Sequence, residues 1–409
     1  MSSNKNLSFH KYTILASVFT AAAMIVFCYI INNVGVSIGG EAELIKNTNA
    51  ITSGILGDNR KPIPDSVVFI SISYDKQLIE VDDEDGFPIG NIDITDRNKL
   101  YQFLDIASKA DNYKYIFLDV FFEEGFNSPI DENLFKEISS MPRIVIPRHH
   151  DAILAHEKLI GRKSAISDYI TTFFSDDYSK YQLINGCDTS VVLKMYNDIT
   201  NHRVCNLGPF YFDDGRLCNK TLFTNMQILF DGPYDDNGNK NFYRLGSDIL
   251  IDPSSITDFV KGRYIFIGDL EHNDIHQTVQ GEFPGTVISS NIFFAILHEQ
   301  HLVSWIVTVI LFIVFYLFSW SIYTSQSLMD YIVVALSRWM PKINNTFTQN
   351  ILSLLGYTSL LSILCLLFYY FFNTSYDIFF TAVIFQIINF MVSFIKRKNR
   401  EKKKTSKSY

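Results

Sequence analysis

Four stretches of the chain lack any polar rhythm. Residues 12–32, 302–324, 351–372 and 378–395 are almost wholly apolar, and a helix needs roughly 20 such residues to cross a bilayer. Between the first and second the pattern changes. Residues 67–72 (VVFISI), 115–120 (YIFLDV), 143–147 (RIVIP) and 263–268 (RYIFIG) are short, continuous apolar runs. Runs of that length bounded by turn formers predict strands buried on both faces. Amphipathic segments separate them. Leu100, Phe103, Leu104 and Ala107 share one helical face, with Thr95 as the expected cap. Asp131 is expected to cap a shorter helix that turns Leu134, Phe135 and Ile138 inward. This alternation predicts an α/β domain with a mainly parallel sheet and right-handed crossovers, joined to an α-helical transmembrane bundle.

Other segments are less legible. Residues 151–200 are polar and rich in Tyr and Asp, and read as an insertion of helices and loops. Residues 205–218 (CNLGPFYFDDGRLC) read as a hairpin turning at Asp213-Asp214-Gly215. Residues 286–298 read as a helix running into the second apolar stretch. No repeat of solenoid period is present.

Charge orients the apolar stretches. Lys5, His10 and Lys11 precede the first, and KRKNREKKK (396–404) follows the last. The positive-inside rule places both flanks in the cytoplasm, and an even number of spans agrees. The expected order is a cytoplasmic N-terminus (1–11), a span (12–32), an outer domain (33–301) and a second span (302–324). A cytoplasmic amphipathic loop (325–350), spans at 351–372 and 378–395, and a basic cytoplasmic tail (396–409) complete it. The apolar run continues past Ala21–Ala23 through MIVFCYII, which favours a retained anchor over a cleaved signal peptide. In a Gram-negative bacterium this is a multi-pass inner-membrane protein with a large periplasmic domain. The tail from Lys396 carries eight of the 35 Lys and Arg but one of the 43 Asp and Glu, leaving 27 basic against 42 acidic residues in the body. So acidic a body would repel phosphate, which argues against nucleic acid as a partner. Cys187, Cys205 and Cys218 allow at most one internal disulfide, with Cys205–Cys218 one option and three free thiols the other.

Several motifs fall in a telling order: FISISYDK (69–76), IFLDVFF (116–122), DENLFKEI (131–138), DDGR (213–216), GRYIFIGD (262–269), DIHQT (274–278) and FPGTVISSN (283–291). Together with the N-terminal anchor and the following bundle, the set resembles the CHASE2 extracellular sensory domains of bacterial membrane receptors. The resemblance implies an outer ligand-sensing domain and a cytoplasmic output domain. No such domain follows the last apolar stretch here, so the output is expected from a separate protein. Ser289-Ser290 also depart from the His-Ala that the family tends to have before Asn291.

In open parallel sheets ligands bind beyond the carboxyl ends of the strands. That rule gathers Asp75, Asp119, His149 with His150, and Gly268 with Asp269, and it brings Glu271, His272, Asp274 and His276 nearby. Such a crevice suits a cation, a metal ion or a basic small molecule. The bland alternative is that Asp75 and Asp119 cap turns and the histidines lie on exposed loops. GRKS (161–164) lacks the upstream glycine of a phosphate loop, and neither a nucleophile elbow nor a zinc-protease motif occurs. Neither a cofactor, a resident metal nor an enzymatic activity is expected. The expected function is a membrane-anchored sensor that binds an unknown ligand or protein and signals through a separate partner. The alternative is a structural or assembly component of a cell-envelope complex.

Overall fold

A computed structural model describes residues 2–34, 40–56, 61–82, 87–149, 153–171, 178–228, 230, 241–324, 346–372, 374 and 376–405. The chain runs α1 (Ser2–Asn32), α2 (Gly40–Leu56), β1 (Val67–Ser71), β2 (Lys76–Asp82), β3 (Pro88–Thr95), α3 (Arg97–Ala110), β4 (Tyr115–Leu118), α4 (Asp131–Ser140) and β5 (Ile144–Arg148). It continues through α5 (Glu157–Ile160), β6 (Ser164–Ile166), β7 (Tyr169–Thr171), β8 (Tyr178–Gln182), β9 (Ile184–Asn185), β10 (Asp188–Thr189) and α6 (Val191–Thr200). Next come β11 (Val204–Leu207), β12 (Phe210–Asp213), β13 (Arg216–Cys218), β14 (Thr221–Phe223), β15 (Phe242–Arg244), α7 (Ile256–Phe259) and β16 (Tyr264–Gly268). The last are β17 (Ile275–Thr278), β18 (Gly281–Pro284), α8 (Gly285–Leu297), α9 (Trp305–Thr324), α10 (Thr346–Phe372) and α11 (Ile378–Thr405). The fold is mixed α/β, and contacts divide it into two compact units.

The α/β unit comprises residues 48–205 and 220–301. Its six-stranded sheet has the order β15-β1-β16-β4-β5-β6, and every pairing is parallel. All four strands expected from the apolar runs lie in it, as adjacent members. Alternate side chains feed two cores, as the two-residue strand period requires. Val67, Phe69, Phe117, Val145 and Phe266 pack with α6 and α8 residues on one face. Val68, Ile70, Leu118, Ile146 and Ile267 pack with α3 and α4 residues on the other. Both faces are covered, so the strands are apolar without alternation.

Several local expectations change. Asp96, not Thr95, caps α3, its carboxylate accepting from the Asn98 and Lys99 amides. Asp131 is the first residue of α4 rather than its cap, and it forms a buried ion pair with Arg97. Residues 151–200 supply more strand than expected. They give the sixth sheet strand, β6, and β7 and β8 of a second sheet ordered β14-β8-β17-β18.

The other unit comprises residues 1–47, 206–219 and 302–409. Among the described residues, three of its helices are long and apolar enough to cross a membrane: Lys11–Asn32, Trp305–Thr324 and Leu354–Phe372. The fourth apolar stretch is helical within α11, but its apolar part, Phe380–Lys396, is shorter. Tyr12, Phe19, Ile313, Leu317, Phe371 and Phe390 are exposed, as suits helices apolar all round. Lys396 Nζ donates to the terminal carbonyls of Ile322 and Tyr323, at 3.2 and 2.9 Å, closing the end of α9. The hairpin β12–β13, expected in the outer domain, groups instead with the helices. Tyr29 Oη of α1 donates to the Cys218 carbonyl at 2.8 Å and accepts from the Tyr211 amide at 3.0 Å. All five cysteines are free, so the Cys205–Cys218 bridge is not formed. The amphipathic loop at 325–350 lies outside the described residues up to 345.

Candidate functional site

Parallel pairing brings the carboxyl ends of β1, β16 and β4 side by side, with Ser71 opposite Gly268 and Leu118 opposite Ile267. Two polar clusters of different character form beyond these ends.

The first is electrically closed. Asp75 accepts from Lys99 Nζ at 2.6 Å and from the Gly246 amide at 3.1 Å. Asp269 accepts from Ser73 Oγ at 2.5 Å and the His272 amide at 3.0 Å, with Lys76 Nζ at 3.7 Å. Burial works against the Asp269 charge, but the Ser73 hydroxyl, the loop amides and Lys76 outweigh it and hold its pKa below the ordinary value. Glu271 accepts from Ser71 Oγ at 3.0 Å and pairs with the Arg244 guanidinium at 2.8 Å. Each carboxylate here faces a cation of its own.

The second cluster has acid to spare. Asp119 follows β4 and accepts from Thr286 Oγ1 at 2.7 Å. Asp274 stands just before β17, where its carbonyl accepts from the Gly285 amide at 2.8 Å. The β17–β18 hairpin explains this placement: Ile275 pairs with Pro284, so the residues beyond that pair, Asp274 and Gly285, meet at its open end. His276 Nε2 lies 2.9 Å from Asp274 Oδ1. Its ring packs edge-on against Tyr169 and Tyr178, with centroids at 5.0 and 5.8 Å. Two carboxylates therefore share one imidazole. Burial first, then repulsion from Asp274, raises the Asp119 pKa from 3.8 to about 7, against opposing help from Thr286 and His276. The N-terminal end of α8 also favours anions, yet desolvation and like charge prevail.

Two glycines make this cluster possible. A Cβ on Gly268 would overlap Thr286 Oγ1 and come within 3.1 Å of Asp119 Cβ. One on Gly285 would overlap the Asp274 carboxylate. Gly268→Ala is therefore expected to cost about 1–3 kcal/mol, the usual range for an overpacked core. Thr286→Ala in the same chain should recover most of that loss by removing the clashing hydroxyl, as a double-mutant cycle of melting temperatures would reveal. Additive losses in the cycle would contradict the geometry.

Of the residues singled out by sequence, Asp119, Asp274 and His276 come together. Asp75 and Asp269 belong to the closed network. His149 stands apart, with Nδ1 3.7 Å from Asp168 and its ring over Phe121 at 4.9 Å. His150 lies outside the described residues. Gly285, just before the helix expected at 286–298, and the tyrosines Tyr169 and Tyr178 were not among the expected site residues. The glycine's role follows from a contact across the fold. The two tyrosines lie in a segment without periodicity, and no local signal marks them. Among the described residues no group of three or more His, Cys, Asp or Glu is arranged to hold a metal ion.

No protein-family model matches this chain, and no match is found among curated proteins or solved structures.

Proposed function

We propose that this is a membrane-anchored sensory protein. In this reading the α/β unit lies outside the cytoplasm, in the periplasm of a bacterium, and takes a ligand at the Asp119–Asp274–His276 cluster. A separate protein supplies the output. One observation carries the reading: Asp119, at a strand end where ligands bind in such sheets, bonds Thr286 in the first turn of α8. After residues 298–304, α8 is followed in the chain by the apolar helix α9. A change at the cluster thus acts on a helix that leads to a membrane helix. The ordered motifs resembling CHASE2 domains and the basic tail support the same assignment and orientation.

A docking role is the second reading. The hairpin β2–β3 lies outside the main sheet and exposes Leu78 and Phe87, 71% and 69% accessible. Assembly with another envelope protein would use such a surface.

Two measurements test the proposal. Reporter fusions after Gly186 and at the C-terminus should report outside and cytoplasm respectively; a cytoplasmic signal after Gly186 would overturn the orientation. Full-length protein in detergent should melt several degrees higher with some class among amines, carboxylates, nucleotides and sugars, as ligand linkage requires, and Asp274→Asn should abolish the shift. A stable co-purifying partner and no small-molecule effect would instead establish docking.

A further inference from the structure

The hairpin β12–β13 belongs to the helical unit, and two attachments fix it at one end of the helices. From α1, Tyr29 Oη donates to the Cys218 carbonyl, and the Tyr29 ring stacks on Phe210 with centroids 5.5 Å apart. From the chain entering α9, the Val303 amide donates to the Leu217 carbonyl at 2.9 Å, and Leu302 bridges to Cys218. Tyr29 stands close to Asn32, where the first membrane-length helix ends, and Trp305 opens the second. The hairpin therefore lies where both of these helices reach their ends. Polarity is also sorted along it. Gly208, at φ 59°, and Pro209 turn the chain from Leu207 into Phe210. Leu207 is 73% exposed, as is Trp305. At the opposite end Asp213 stands across from Arg216, and Asp214 is exposed. Tyr211 pairs with Cys218, so the apolar end is the one beside Tyr29.

We infer that the turn at 207–210 inserts into the headgroup–acyl boundary of the bilayer, with phospholipid as its partner. This rests on the membrane-anchored reading, in which the leaflet concerned is the outer one. A lone exposed leucine is ordinary on a protein surface. Leu207 differs because it adjoins Phe210, which is stacked on a tyrosine near the end of an apolar helix. At that depth aromatic rings such as those of Tyr29, Phe210 and Trp305 sit at headgroup level, and apolar side chains reach the acyl chains. The charged end of the hairpin stays in water. Because β13 is bonded both to α1 and to the chain entering α9, the inserted turn fixes the depth at which these two helices leave the bilayer.

The test uses the full-length protein in phosphatidylcholine nanodiscs, one molecule per disc, with the exposed Cys187 and Cys205 replaced by serine. Single cysteines are introduced as Leu207→Cys, Asp214→Cys and Ile313→Cys, the last on the exposed side of α9. A fluorophore at Leu207→Cys should be quenched by phospholipid spin-labelled at the top of its acyl chain and spared by iodide. At Asp214→Cys the two quenchers should act in the reverse order. Without any fluorophore, a charged, membrane-impermeant maleimide should modify Asp214→Cys several-fold faster than Leu207→Cys. An iodide-accessible label at Leu207→Cys, or equal maleimide rates at the two positions, would overturn the inference. Shielding of Leu207→Cys from both quenchers would overturn it too, since protein and not lipid would then cover the turn. The label at Ile313→Cys separates the two levels of the argument. If lipid quenches it while sparing Leu207→Cys, the turn stays in water and the membrane anchor stands; if lipid spares both, the anchor itself falls.

Discussion

Leu118→Asp should abolish a stable α/β unit. Leu118 is fully buried in β4, opposite Ile267 of β16, and packs with Ile70, Leu104 and Phe135 in the core beneath α3 and α4. The cations near these strand ends are committed: Lys99 to Asp75, and Arg97 to Asp131. An aspartate there loses the leucine's packing and buries a charge without a partner, together about 5 kcal/mol or more. That is comparable with the whole stability of a typical domain, about 5–15 kcal/mol. Protease digestion in detergent should remove the unit in the variant and spare it in the parent. A resistant Leu118→Asp protein would refute the placement of β4. Leu118→Ile, which conserves volume, should cost less than about 1.5 kcal/mol.

Stability should fall as pH rises from 4 towards 7, and Asp119→Asn should flatten much of that slope. The sign follows from linkage. Asp119 has its pKa raised from 3.8 to about 7 on folding, so between those values the folded chain holds a proton that the unfolded chain has released. Protonation thus favours the fold, fully below the lower value, and the advantage is lost as pH rises through the upper one. Three units correspond to at most about 4 kcal/mol, less where water reaching the carboxyl screens it. At pH 8 Asp119→Asn should therefore melt higher than the parent, while near pH 4 the two should be alike. Asp269 contributes the opposite sign, because its lowered pKa gives stability that is lost as pH falls. Asp269→Asn should leave the decline above pH 5 in place. A parent whose melting temperature is level from pH 5 to 8 would contradict the burial and repulsion assigned to Asp119.

The strands and helices of the α/β unit were legible because burial on two faces leaves a one-dimensional mark. VVFIS, YIFL and YIFIG are continuous apolar runs for that reason, and the α3 and α4 faces show their period of 3.6. The long apolar helices are marked still more plainly, by runs as poor in polar groups as hydrocarbon would require. Sequence also brought Asp119, Asp274 and His276 to notice, by their places after or before buried strands. It could not separate them from Asp75, Asp269 and His149, because what distinguishes a closed ion pair from a site short of cations is the identity of neighbours tens or hundreds of residues away. Lys99 closes Asp75, and Thr286, 167 positions from Asp119, holds that carboxylate at the start of α8. The same holds for the polar segment that became β6, β7 and β8: its strands are short and lean on partners already in the sheets, so their local pattern is weak. Composition and period thus determined which segments are buried and which are apolar enough to cross a membrane. Which charges remain unpaired was decided only by the register of the sheet and by two glycines that let α8 approach it, because electrostatics depends on distance in space and not along the chain.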